Sequence, residues 1–181
     1  MEKNFIIAGF GGQGVLLAGE VLANAFMLAG KNVTWYPCYG AEMRGGTVNC
    51  EIVMNDEEVS SVSKTETDFV IALNQASFDK FISKIKKGGW MIANSSLAKE
   101  LKPRDDINYL FAPITKLADN LGNAKMTNIL ALGLLSKASK LVSIETIGQA
   151  LDTVIPPHRK NLLPLNLKAL QIGYEYDLLP A

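Results

Sequence analysis

Between Asn4 and Ala29 the hydrophobic pattern changes abruptly across a glycine cluster. Asn4 to Ala8 is a short apolar run, Gly9-Phe10-Gly11-Gly12-Gln13-Gly14 follows, and apolar residues then recur at Val15, Ala18, Leu22, Ala25, Phe26 and Ala29. A continuous run giving way to a 3.6-residue period through glycines reads as strand, tight turn, helix. Gly30 stands where a helix-ending glycine belongs, and Val33 to Tyr36 reads as a second strand. A right-handed β-α-β unit of about 30 residues is the natural assembly, which restricts the chain to α/β architectures.

The alternation continues downstream. Tyr36 to Gly46 is rich in turn residues, while Thr47 to Met54 sets Val48, Cys50, Ile52 and Met54 against Thr47, Asn49, Glu51 and Val53, the mark of a strand with unequal faces. Asn55-Asp56 breaks it, and Val59 to Val62 is expected to return as a short antiparallel strand. Phe69 to Leu73 suits a buried parallel strand. A helix carrying Phe78, Phe81, Ile82 and Ile85 is expected to end at Gly88-Gly89, before strands at Trp90 to Ala93 and Tyr109 to Phe111. From Pro113 the pattern is helical through Ile114 to Leu121, Ile129 to Leu135, Ile144 to Val154 and Leu163 to Tyr174. Gly122 and Ser143 take capping positions, and Pro156-Pro157 divides the last two helices. The expected fold class is α/β, a Rossmann-like and mostly parallel sheet with flanking helices and a helical C-terminal third, in one domain over residues 1–181.

Composition narrows the function. With 18 basic against 18 acidic residues the net charge is +0, so no surface excess marks a nucleic-acid binder or a polybasic membrane module. Cys38 and Cys50 cannot build a disulfide framework, and their spacing matches no zinc or iron-sulfur ligand set. No uncharged stretch nears the roughly 18 residues of a membrane span, and the run from Phe5 to Phe10 is too short for a signal-peptide core. A cytoplasmic location is the expectation.

Gly9, Gly11 and Gly14 fit G-x-G-x-x-G between strand and helix, where the pattern has physical meaning. Glycines permit close backbone approach, and the helix N-terminus offers unpaired amides and partial positive charge to a phosphate or carboxylate. Gly12 adds a fourth residue without a side chain, and Gln13 places an amide at the mouth. Tight packing of helix on strand accounts for the same glycines, so both readings stand. NAD binding further calls for an acid at the end of the second strand, yet Val33-Thr34-Trp35-Tyr36-Pro37 has none and the nearest is Glu42. A self-contained nicotinamide enzyme loses support accordingly.

Directly after that strand, Cys38-Tyr39-Gly40-Ala41-Glu42-Met43-Arg44-Gly45-Gly46-Thr47 brings together an aromatic, an acid, a base and three glycines. Open α/β sheets bind ligands at the carboxyl ends of their strands, so this segment should join the first glycine turn in one site. Arg44 can clamp an anion bidentately, Glu42 can pair with it or accept a donor, and Gly45-Gly46 can let amides approach. A structural Glu42–Arg44 contact explains the same residues.

The string Gly-Phe-Gly-Gly-Gln-Gly-Val at 9–15, followed by Tyr-Gly-Ala-Glu-Met-Arg-Gly-Gly-Thr-Val-Asn-Cys at 39–50, resembles the gamma subunit of 2-oxoacid:ferredoxin oxidoreductases. The likeness extends to Asp68 through Asn74, to Leu121-Gly122-Asn123 with Asn128, and to the closing helix from Asn166 to Gly173. It implies membership of a complex that oxidatively decarboxylates a 2-oxoacid with coenzyme A to an acyl-CoA and carbon dioxide, electrons passing to ferredoxin. It also implies alpha, beta and ferredoxin-like delta partner subunits that carry thiamine diphosphate, magnesium and the iron-sulfur clusters, with coenzyme A a candidate for the shared site. The second string looks closer to the 2-oxoglutarate or branched-chain type than to the pyruvate or indolepyruvate type. On this reading the ligand- or partner-binding residues are Gly9, Gly11, Gly12, Gln13, Gly14, Tyr39, Gly40, Glu42, Arg44, Gly45, Gly46 and Asn128. No residue is assigned as catalytic or metal-binding, and the isolated chain is expected to be inactive and to self-associate through an apolar patch. The alternatives are a stand-alone dinucleotide-binding oxidoreductase and a purely structural assembly subunit.

Other residues have plainer readings. His158 lacks a visible partner for general-base work and reads as a solvated loop residue. Ser95-Ser96 reads more simply as a helix N-cap than as a ligand contact, and Cys38 as a small filler beside the site. Asn123 to Asn128 either caps the helix that follows or reaches the cleft.

Overall fold

A computed structural model describes residues 1–38, 47–61, 63–100 and 104–177. Strand β1 (Glu2–Phe10) leads through the glycine turn to α1 (Val15–Leu28), β2 (Asn32–Cys38), β3 (Thr47–Asn55) and β4 (Thr67–Ala72). The chain continues with α2 (Gln75–Phe81), β5 (Ile85–Asn94), β6 (Asn108–Ala112), α3 (Ile114–Asn120), α4 (Thr127–Ser139), α5 (Ile144–Val154) and α6 (Leu163–Glu175). The α/β class, the flanking helices and the helical C-terminal third are as the sequence implies.

The sheet has six strands in the order β2-β3-β1-β4-β5-β6. β1, β4, β5 and β6 pair in parallel, whereas β3 runs antiparallel to both β1 and β2. Only β3 is therefore reversed, and it sits between β1 and β2. The β1-α1-β2 crossover expected from the sequence leaves a gap of one strand, which the alternating Val48, Cys50, Ile52 and Met54 fill.

Two boundaries differ from the expectation. Val59 to Ser61 forms no strand, because the chain after β3 leaves the sheet before entering β4, and Val62 lies outside the described residues. The helix expected to reach Gly88 stops at Phe81. Ile82–Lys84 is a single 3-10 turn and Ile85 already belongs to β5, so Gly88-Gly89 lies within a strand. A Cβ on Gly89 would stand 2.7 Å from the Asp68 carbonyl oxygen, so close strand approach demands that glycine. Its role was hidden by its resemblance to a helix stop.

Alternation sorts the sheet's side chains to two cores. Phe5, Ile7, Cys50, Ile52, Met54, Phe69, Ile71 and Ile92 face α1, α3, α4, α5 and α6. Ile6, Ala8, Val70, Ala72, Met91 and Ala93 face α2 through Phe78 and Phe81. In the larger core Phe5 stacks on Phe69 with centroids 5.0 Å apart and the rings inclined 11°. At about 25 cal/mol per Å² of buried apolar surface, such clusters supply the main driving force for folding.

At the end of the strands opposite the glycine turn, Asp68 ties β4 to two neighbours. One oxygen accepts from Lys3 Nζ at 3.0 Å, and the other from the Asn4 amide at 2.9 Å and Lys86 Nζ at 3.2 Å. Burial pushes its pKa up, but these three donors outweigh burial and hold it below the usual carboxylate range. The folded state thus favours ionised Asp68, a stabilisation present above the unfolded pKa and lost as pH falls through the lower folded value. We expect Asp68→Asn to cost about 1 to 2 kcal/mol at neutral pH, after allowance for solvent screening of the lysines. In urea titrations the gap between wild type and variant should close as pH falls below the ordinary carboxylate pKa of about 3.9. A gap independent of pH would show that the carboxylate charge contributes nothing.

Candidate functional site

The glycine turn emerges at the carboxyl end of β1, next to β4. The helix after β1 packs on one face of the sheet and the helix after β4 on the other, so the gap between these strand ends is a topological switch point, where open sheets receive ligands.

That gap is filled from within. Gln13 folds back over β1, its Oε1 accepting from the Phe10 amide at 2.6 Å and from Asn74 Nδ2 at 3.3 Å. Its Nε2 donates to the Leu73 carbonyl at 3.3 Å. Gly9 makes this possible, since a Cβ there would stand 2.6 Å from Gln13 Oε1. The sequence placed the Gln13 amide at the mouth of a site; there it is half-buried and engaged with the chain's own backbone. Asn74 also caps α2 by accepting from the Ser77 amide at 2.9 Å. Asn94, fully buried, donates to Leu73 O at 3.1 Å and to Thr115 Oγ1 at 2.8 Å. A chain of amide side chains thus ties the ends of β1, β4 and β5 to α3.

Asn128 secures the other end of the turn. It is 3% exposed, and its Nδ2 donates to the Gly14 carbonyl at 3.1 Å. Its Oδ1 is buried and has no partner among the described residues. Gly14 has φ +72°, and a Cβ on it would come within 2.5 Å of Asn128 Nδ2. Two glycines of the fingerprint therefore make room for the protein's own amide side chains.

What remains open is the outer side of the turn. Gly11 and Gly12 are exposed, with Gly12 at φ +95°. Gly14 caps α1 without a side-chain bond, and α1 has no acid in its first turn. Unpaired amides and the positive end of the helix dipole are therefore available to an anion there. Two large apolar side chains, Phe10 and Leu97, stand exposed on the same rim.

Tyr39, Gly40, Glu42, Arg44, Gly45 and Gly46 lie outside the described residues. The flanking residues do place both ends of their segment at this rim: Cys38 closes β2 opposite Asn49, and Thr47 opens β3 opposite Phe10. The structure thus brings Gly9, Gly11, Gly12, Gln13, Gly14 and Asn128 together. Asn74, Asn94 and Thr115 went unassigned in the sequence, although an asparagine ending each apolar run, at Leu73-Asn74 and Ala93-Asn94, was a readable signal.

The plainer residues resolve as follows. Ser95-Ser96 lies in a turn and caps no helix of its own; the Ser96 hydroxyl accepts from the Lys116 amide of α3 at 3.3 Å. His158 is exposed. Asn123 caps the short 3-10 turn before α4, accepting from the Lys125 amide at 3.0 Å. Cys38 is half-buried rather than filler, with its pKa raised by burial, while burial pushes the Cys50 thiol up to about 12. No group of three or more His, Cys, Asp or Glu side chains suited to a metal occurs among the described residues, and no helix there is long and apolar enough to cross a membrane.

A glycine turn clasped by the chain's own amide side chains, with Gly11 and Gly12 exposed on the rim of a mixed six-stranded sheet, defines an α/β domain. The chain belongs to the pyruvate ferredoxin/flavodoxin oxidoreductase family, which matches residues 4–176. It is 32% identical over 182 residues to the 2-oxoglutarate synthase subunit KorC of Methanothermobacter marburgensis, covering 97% of this chain and 96% of KorC. It is also 32% identical over 176 residues to the ketoisovalerate oxidoreductase subunit VorA of that organism, but spans only 36% of VorA's length. The crystal structure of a keto/oxoacid ferredoxin oxidoreductase gamma subunit from Geobacter sulfurreducens superposes with a TM-score of 0.83 at 30% identity, over 96% of each chain. The gamma-subunit resemblance read from the two glycine strings is borne out.

Proposed function

We propose that this chain is the gamma subunit of a 2-oxoacid:ferredoxin oxidoreductase of the 2-oxoglutarate or branched-chain type. The complex oxidatively decarboxylates the 2-oxoacid and transfers the acyl group to coenzyme A, with electrons passing to ferredoxin. The observation that carries the reading is the outward glycine turn, on this reading an anion-receiving surface that a partner completes, in a chain whose sequence KorC matches nearly end to end. A partner that covers the rim completes the site.

Coenzyme A, when bound, supplies the thiol that accepts the acyl group. The residues present fit its anionic end: the α1 amides are uncapped, no acid sits in the first turn of α1 to repel it, and Arg44 supplies charge from the adjoining segment. This chain orients and binds while the carbon chemistry belongs to thiamine diphosphate and magnesium on partner subunits, and the iron-sulfur clusters to a ferredoxin-like one. Docking surface is at hand, since a groove of about 620 Å³ between α5 and α6 exposes Leu167, with Leu163 and Leu170 also lining it. Such a surface would also let the isolated chain self-associate.

Two features disfavour a stand-alone dinucleotide enzyme. Gln13 fills the switch point, and the end of β2, which carries no acid, is separated from β1 by β3.

The test is reconstitution with the native partners and an assay of 2-oxoacid- and coenzyme A-dependent reduction of a low-potential dye. Omitting this chain should abolish turnover; undiminished activity would refute a catalytic contribution. Arg44→Ala should raise the apparent KM for coenzyme A by about tenfold or more while the complex still assembles. Loss of assembly alone would favour a scaffold.

A further inference from the structure

In G-x-G-x-x-G the residue before the last glycine is unspecified, and here it is a glutamine held at the switch point. Its neighbours there are themselves fixed: Asn74 is 1% exposed and Asn94 0%. The Leu73 carbonyl that accepts from Gln13 also accepts from Asn94, which is braced in turn by the Thr115 hydroxyl. The Phe10 amide, which would otherwise be free to bond a phosphate oxygen, is taken by Gln13 Oε1 at 2.6 Å. The glutamine amide therefore supplies, from within the chain, both an acceptor for the turn and a donor for the end of β4. Gly9 is spared a side chain to admit it.

We propose that Gln13 is a specificity-determining residue: it closes the switch point to adenine nucleotides and leaves only the outer side of the turn, at Gly11 and Gly12, for an anion. The proposal rests on the reading of this turn as the anion-receiving surface, but its test uses the free chain and needs neither partner nor turnover. A complex indifferent to omission of the chain would refute the subunit reading without touching the plug, and failure of the plug would leave the subunit reading in place.

The experiment is calorimetric titration of the free chain with ADP, the moiety through which nucleotide cofactors meet such turns. Wild type should bind ADP weakly, through its diphosphate at the outer side of the turn only. Gln13→Ala and Gln13→Ser empty the space and should bind ADP at least about tenfold more tightly than wild type. Gln13→Met keeps the volume without the hydrogen bonds and should remain closed. In hydrogen exchange the Phe10 amide should lose protection in all three variants, while β4 and β5 stay protected in those that fold. Wild-type binding as tight as that of Gln13→Ala overturns the proposal, as does the absence of any gain in folded Ala and Ser variants. If neither small variant folds, Gln13→Met decides, since ADP binding by it tighter than that of wild type overturns the proposal and binding no tighter supports it.

Discussion

Gly173→Ala is expected to lower the melting temperature by about 10 °C, corresponding to about 3 kcal/mol for a chain of this size. α4 and α6 cross at Gly133 and Gly173, with backbone against backbone. A Cβ on Gly173 would strike the Leu130 carbonyl oxygen and stand 3.2 Å from the Gly133 Cα. A Cβ on Gly133 would strike the Leu170 carbonyl oxygen and stand 2.7 Å from the Tyr174 amide nitrogen. Neither obstacle is the end of a flexible side chain, so the helices must separate. Separation would loosen Leu130, Leu134, Ala169 and Leu170, all buried at their junction. Gly133→Ala should act comparably, and the double variant should cost less than the sum, because one displacement relieves both clashes. Thermal unfolding followed by circular dichroism is the measurement, and a shift of less than about 2 °C would mean the crossing has slack.

Gly14→Ala should act on both stability and site. Its φ of +72° is in the left-handed region, which costs an L-residue about 1 to 2 kcal/mol, and the new Cβ would displace Asn128. Losing the bond from Asn128 Nδ2 to the Gly14 carbonyl leaves a buried amide short of a partner, adding about 1 kcal/mol. The expected total is about 3 kcal/mol in urea denaturation. In the reconstituted complex, turnover should fall by about tenfold or more, since the turn no longer presents its amides in one geometry. Asn128→Ala separates the two effects: it removes the bond without forcing the backbone and should cost less in stability than Gly14→Ala. Equal losses for the two variants would mean that the left-handed backbone contributes little.

Strand and helix identity was largely legible because period and punctuation agreed: Val15 to Ala29, Thr47 to Met54 and Ile144 to Val154 all carry unambiguous patterns. The site was legible in part. Glycine spacing located the turn, but spacing is silent on whether a glycine makes room for a ligand or for a neighbouring side chain. Gln13 and Asn128 are 115 residues apart, read from their numbers in the sequence, and only the packing of α4 beside α1 makes them two clasps on one turn. Sheet order was not legible either. Nothing local in Thr47 to Met54 says that this strand inserts between β1 and β2, because order is decided by which hydrophobic faces remain to be covered once α1 has packed. Gly88-Gly89 misled for a similar reason, a pair of glycines being the same signal at a helix end and at a close approach of two strands.

The reversed strand has a consequence for how this scaffold can diversify. Nine consecutive backbone pairings, from Glu2 opposite Asn55 to Phe10 opposite Thr47, lock β3 to β1. Residues can therefore be exchanged, added or removed between Cys38 and Thr47 without sliding either flanking strand, since this ladder fixes where the segment re-enters and the pairing of β2 with β3, ending at Cys38 opposite Asn49, fixes where it leaves. Sequence variation is best accommodated in that segment, while the neighbouring turn, clasped on both sides, is held constant.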